Sequence, residues 1–161
     1  MARGKWKVAR GKWEVGSGKW EVGRAKRHRG NCVERSNGRN VVHFRFEDLE
    51  IWQLSKNLAV RFHQVADRLE KKKLYRYAEQ LRAAGLSVSN NIAEGSGSIH
   101  QKEFNQFLNI ARRSLFENAS MVLVFFELAL VDTDEKHILL KECDKLSRKI
   151  SAYCKSRGNC R

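Results

Sequence analysis

Asn90, Asn91 and Glu94 stand together in Ser87-Val88-Ser89-Asn90-Asn91-Ile92-Ala93-Glu94-Gly95-Ser96-Gly97, two amides and a carboxylate late in an apolar pattern. An amide donates and accepts hydrogen bonds and a carboxylate accepts them, so the set can hold a polar ligand or fix a helix register. Asn90 and Glu94 are one helical turn apart on one face. Asn forms helix poorly because its side chain competes for backbone hydrogen bonds. Two of them where Leu81, Ala84, Val88 and Ile92 still mark a helix point to a tertiary cause. The expected cause is a hydrogen-bond network at an interhelix or intersubunit contact, since buried amides are normally satisfied in this way.

Arg82, Arg112 and Arg113, with Lys71, Lys72, Lys73 and Arg76, make the second constellation. Such cations can line a surface for phosphates, where each neutralised phosphate releases counterions and makes affinity depend on salt. The competing reading is a solvated face paired with Glu79 and Glu117.

Catalytic chemistry finds little support. A di-iron bundle needs Glu-x-x-His on two helices plus two further carboxylates. No Glu-x-x-His occurs, and the nearest approach is Asp134-x-x-His137 at a helix start, which reads as a cap. His63 and Asp67 are a turn apart and read as a surface pair. No phosphate loop or nucleophile elbow is present. Cys32, Cys143, Cys154 and Cys160 lack C-x-x-C or zinc spacing, and no secretory signal precedes them. All four are expected as reduced thiols of a cytoplasmic protein, Cys143 in the core and Cys154 partly exposed. No enzymatic activity, metal or cofactor is expected.

The elements that carry these residues are helical. Leu49, Trp52, Ala59, Phe62, Ala66 and Leu69 recur at helical spacing, with Ile51, Leu54, Leu58 and Val65 as a second stripe, and Lys71-Lys72-Lys73 closes the helix. A second helix runs from about Leu74 to Glu94 with Tyr77, Leu81, Ala84, Val88 and Ile92 inward. Gly95 and Gly97 are expected to stop it through the left-handed conformation. Ser98 and Gln101 match a capping box for the third helix, whose inward set is Phe104, Leu108, Ala111, Leu115, Val122, Phe126 and Ala129. Asp132-Thr133-Asp134-Glu135 caps a fourth, lined by Leu139, Cys143, Leu146, Ile150 and Tyr153. Four amphipathic helices with short loops predict an all-α, antiparallel up-down four-helix bundle over 41–161. The second stripe on the first helix, with Val124 and Phe125, widens the apolar surface and predicts self-association. No run of 18 apolar residues predicts a membrane span.

Residues 1–40 differ in kind. Their 12 Lys/Arg against 3 acidic residues give +9, and the other 121 residues carry 20 against 15, or +5, which sums to the +14 of the chain. Gly4 to Arg24 comprises three heptapeptides, each opening Gly-Lys-Trp and carrying Val two residues after the Trp. Gly costs about 1 kcal/mol against Ala inside a helix, and the Trp-Val spacing is that of a strand. The segment is expected to be a disordered basic leader. It reads as the product of a short DNA repeat, with translation beginning near Val41 or Val42. The alternative is an arm whose Trp and Lys side chains stack on single-stranded nucleic acid.

Three ordered motifs then carry a resemblance. They are Phe46-Glu47-Asp48-Leu49-Glu50-Ile51-Trp52-Gln53; Gln80-Leu81-Arg82-Ala83-Ala84 with Ser87 to Gly95; and Glu103-Phe104, Phe107-Leu108, Ala111-Arg112-Arg113-Ser114-Leu115 and Glu117. From about Phe44 to Arg157 the chain resembles the bacterial four-helix-bundle proteins encoded in 23S rRNA intervening sequences. The resemblance implies a homo-oligomer, a pentameric ring, without known enzymatic activity. The fold is also similar to that of accessory variability proteins of diversity-generating retroelements, which bind a reverse transcriptase and its RNA through a basic surface. Structured RNA is therefore the first expected partner and a reverse transcriptase or similar protein the second. Two departures stand out: the chain has no proline in the first interhelix turn, and Asn118 replaces an apolar residue usual in relatives.

Overall fold

The computed structural model describes residues 42–157, together with five short strands that precede them. The chain divides into two units, residues 1–41 and 42–161. In the first, β1 (Val8–Ala9), β2 (Lys12–Val15) and β3 (Gly18–Trp20) pair antiparallel in that order, and β4 (Glu34–Ser36) pairs with β5 (Arg39–Val41). The register sets Val8 opposite Trp13 and Trp13 opposite Trp20. The other residues of 1–40, and with them the expected disorder of the leader, lie outside the described residues, as do Cys32 and Cys160.

In the second unit a 3-10 turn, Arg45–Asp48, precedes α1 (Glu50–Lys71), α2 (Tyr75–Ser96), α3 (Gln101–Glu127) and α4 (Thr133–Ser156). Each helix packs on the one before and after it, and α4 closes on α1. Ion pairs along that closing seam join Glu50 to Lys149, Arg61 to Glu142 and Arg68 to Glu135, with numbering that runs in opposite senses. The α2–α3 seam does the same, through Gln80 with Glu117 and Ser87 with Ser114. The protein is thus all-α in this unit, an antiparallel up-down four-helix bundle, as the apolar periodicity predicts. Pairs this exposed contribute about 0.2–1 kcal/mol each, so apolar burial holds the bundle.

The core corrects several assignments. The two stripes on α1 merge into one face: Ile51, Leu58, Phe62, Val65, Ala66 and Leu69 are buried together. Ile51, Leu58 and Val65 therefore face the core of the bundle, because 51, 58, 62, 65 and 69 form one series at helical spacing. Phe125 is likewise buried, whereas Val124 is half exposed. Tyr77 is 43% exposed, since its neighbour Ala78 takes the core position, and its ring packs 5.5 Å from that of Phe125. Ala129 is exposed and lies beyond the end of α3. Cys154 is buried, not partly exposed, on the same face of α4 as Cys143.

The helix ends differ too. Gly95 lies within α2 and Gly97 is right-handed, with φ −79°. The left-handed positions belong instead to Lys73 (φ 64°) and Ala129 (φ 52°). Each closes a Schellman turn: Leu74 N–H donates to Leu69 O at 3.0 Å, and Leu130 N–H to Phe125 O at 2.8 Å. Leu74 and Leu130 pack back on the core, and that contact holds an unfavourable residue in place. Ser98 forms no cap for α3, which begins at Gln101 after His100, and the Gln101 side chain donates to Asn105 Oδ1 at 3.0 Å. Asp132 does cap α4, accepting from Glu135 N–H at 2.8 Å.

Candidate nucleic-acid interface

The basic residues fall into two groups by their partners. Arg82 lies on the α1 side of α2, where its guanidinium donates to Asp67 at 2.5 Å and Glu70 at 2.9 Å. Its Nε is buried without a partner among the described residues. The hydrogen bond from Arg82 holds the Glu70 carboxyl below its usual range, and the bond to Glu70 raises Arg82 in turn. The charge of Arg82 is thus matched within the bundle. Lys71, Lys72, Lys73 and Arg76, at the turn between α1 and α2, are exposed and form no ion pair among the described residues. Arg112 and Arg113 are also exposed and form no ion pair there. The structure separates them from the 71–76 cluster, placing them in the middle of α3.

Around Arg112 and Arg113 the surface has more than charge. Asn109, Arg112, Arg113 and Phe116 line a shallow recess of about 470 Å³. Their spacing of three, four and seven puts them on one outer strip of α3. Phe116 is 57% exposed, and the Arg112 guanidinium carbon lies 5.6 Å from its ring centroid. The sequence reading missed Phe116 and Asn109. The available signal was phase, since Phe116 falls between the turns that carry Phe104, Leu108, Leu115 and Val122 inward.

The amide motif divides as well. Asn91 is half buried, and its Nδ2 donates to Ser87 O at 2.7 Å and Ser87 Oγ at 3.1 Å. Ser87 Oγ in turn lies 3.0 Å from Ser114 Oγ on α3. Asn118, fully buried, donates through Nδ2 to Ser114 O at 2.9 Å, while its Oδ1 has no partner among the described residues. Asn91 thus belongs to an interhelix polar network, whereas Asn90 and Glu94 face outward. Gly95 has a steric role: a Cβ there would meet Phe104 Cδ2 at 2.6 Å and Phe107 Cβ at 2.7 Å. A methyl-free position lets α3 approach α2.

The remaining candidates are surface or core features. His63 is exposed and Asp67 half-buried, and their side chains are 3.5 Å apart. Asp134 and His137 are exposed in the first turns of α4. Burial pushes the Cys143 thiol up to about 12. Among the described residues no cluster of His, Cys, Asp and Glu is placed to hold a metal ion. A larger cleft, about 910 Å³, lies by the turn between α3 and α4, with Arg61 and Arg68 in its wall, each held by a glutamate of α4. Among the described residues no helix is long and apolar enough to cross a membrane.

The 23S rRNA-intervening sequence protein model matches residues 47–152. The chain belongs to that family. The match begins within the first motif, and this family member uses those residues as a folded hook at the start of α1. Glu47 Oε1 accepts from Phe44 N–H at 2.8 Å, Gln53 Nε2 donates to Glu47 O at 2.8 Å, and the Trp52 ring packs 4.8 Å from that of Phe46. Comparison with curated proteins found no match.

Proposed function

We propose that this member of the 23S rRNA-intervening sequence protein family is a non-enzymatic, homo-oligomeric bundle of the bacterial cytoplasm that binds structured RNA through its phosphates. Lys71, Lys72, Lys73, Arg76, Arg112 and Arg113 make the contacts, and Arg82 holds α1 to α2. The observation that carries this reading is the sorting of the cations. Arg82 is answered by two carboxylates, while the other six are exposed and form no ion pair among the described residues. Helices do not fit the deep, narrow major groove of A-form RNA, so recognition rests on charge and shape. Self-association rests on half-exposed Ile110, Val124 and Leu128, which share the side of α3 that carries Glu117 next to α2.

The test is a salt titration of RNA affinity for the full chain and for R112Q/R113Q. Each lost phosphate contact lowers the log–log salt slope by about 1, so the double variant should bind more weakly with a slope smaller by about 1–2. R82Q should leave affinity unchanged and lower stability. An unchanged slope in R112Q/R113Q removes both residues from the interface. No RNA binding by the wild-type chain near physiological salt refutes the reading and transfers the role to a protein adaptor, such as a reverse-transcriptase accessory subunit.

A further inference from the structure

We propose that the recess on α3 formed by Asn109, Arg112, Arg113 and Phe116 is a binding site for an unpaired nucleotide of RNA, with its base stacked on Phe116. This rests on the RNA-binding reading above and deepens it, because a surface that sees only phosphates has no use for an aromatic ring.

Three observations converge on α3. Phe116 is more than half exposed although it lies one residue from fully buried Leu115, so the backbone phase of the helix directs it outward. An isolated exposed phenylalanine is ordinary on a protein surface. This one is not isolated: the Arg112 guanidinium lies 5.6 Å from its centroid, and Arg113 and Asn109 complete the recess. Among the described residues no carboxylate lines that recess, so its two positive charges are complementary to a phosphodiester and opposed to a cationic ligand.

The parts match what an unpaired nucleotide offers. Its base stacks on aromatic rings and on guanidinium planes, which is how most sequence-tolerant recognition of unpaired RNA works. Arg112 and Arg113 answer the flanking phosphates. The Asn109 amide carries both a donor and an acceptor and so can read a base edge. A fully paired stem keeps its bases stacked inside the helix and offers Phe116 nothing. The site therefore distinguishes loops and bulges from duplex, and the cluster at Lys71, Lys72, Lys73 and Arg76 does not.

The experiment compares two fluorescein-labelled RNAs: a hairpin with unpaired adenines in its loop, and the blunt duplex of the same stem. Full-length wild type, F116A and F116W are titrated with each, and oligomer size is measured by sedimentation. The site predicts that F116A binds the hairpin about 5- to 100-fold more weakly, with duplex affinity and oligomer size unchanged. F116W, which enlarges the stacking surface, should bind the hairpin at least as tightly as wild type. Equal hairpin affinity of F116A and wild type overturns the stacking site and leaves phosphate binding intact. Equal losses on hairpin and duplex, or a changed oligomer size, overturn it by assigning Phe116 to structure or to a subunit contact. Failure of the wild type to bind either RNA defeats the RNA reading itself.

Discussion

Gly95→Ala puts a methyl group where α2 comes closest to α3, and its effect can be worked from the distances. Two terms oppose each other. Alanine is favoured over glycine inside a helix by about 1 kcal/mol. Against it, the new Cβ would stand 2.6 Å from Phe104 Cδ2 and 2.7 Å from Phe107 Cβ, both well inside van der Waals contact. The Phe104 ring edge can rotate, but Phe107 Cβ is fixed to the α3 backbone, so relief requires the two helices to part. Overpacking of this kind costs about 1–3 kcal/mol, and a contact anchored to backbone belongs in the upper half. The net is a destabilisation of about 1–2 kcal/mol, or about 3–10 °C in melting temperature for a bundle of this size. Gly85→Ala is the control. Its Cβ meets the Phe62 ring edge at 3.2 Å, Phe62 Cβ at 3.5 Å and Ala59 Cα at an ordinary 3.8 Å, so the propensity gain should nearly cancel the strain. Urea unfolding followed by helix content measures both. A Gly95→Ala protein as stable as wild type, or as Gly85→Ala, would refute the close-approach reading and return Gly95 to a role in binding.

Two further outcomes follow from the buried groups. Asn118→Leu removes a buried carbonyl oxygen that has no partner among the described residues and replaces it with an apolar group, so stability should rise by about 1–2 kcal/mol in urea unfolding. A fall in stability instead would mean that Oδ1 is satisfied in the assembled protein. Cys143, its thiol pushed up to about 12 by burial, is about one part in ten thousand ionised at pH 8, against roughly a quarter for an ordinary thiol. Peptide-level mass spectrometry should find it unlabelled by iodoacetamide in the folded chain, with labelling rising as pH approaches 12 or once urea unfolds the bundle. Rapid labelling at pH 8 in the folded state would show that the thiol is accessible.

The sequence by itself determined the class of fold and most of its core. Leu81, Val88, Ile92, Phe104, Leu108, Leu115, Leu139, Leu146 and Ile150 are inward because a period of 3.6 residues leaves an amphipathic helix one way to hide its apolar side. The acidic stretch at Asp132 announced its cap for a similarly local reason. Charge is different, because sequence counts cations without their partners. Only tertiary structure decided that Arg82 is answered by Asp67 and Glu70 across the α1–α2 seam, while Arg112 and Arg113 form no ion pair among the described residues and stand beside an exposed ring. The same holds for Gly95, Asn91 and Asn118. Their environment is supplied by α3 or by the far side of a seam, and the distance between two helices is a property of packing that no local pattern contains. Phe116 and Tyr77 were misplaced or passed over for one physical reason: near the edge of an apolar face, a single turn of phase decides between core and solvent, and the neighbouring helix sets where that edge falls.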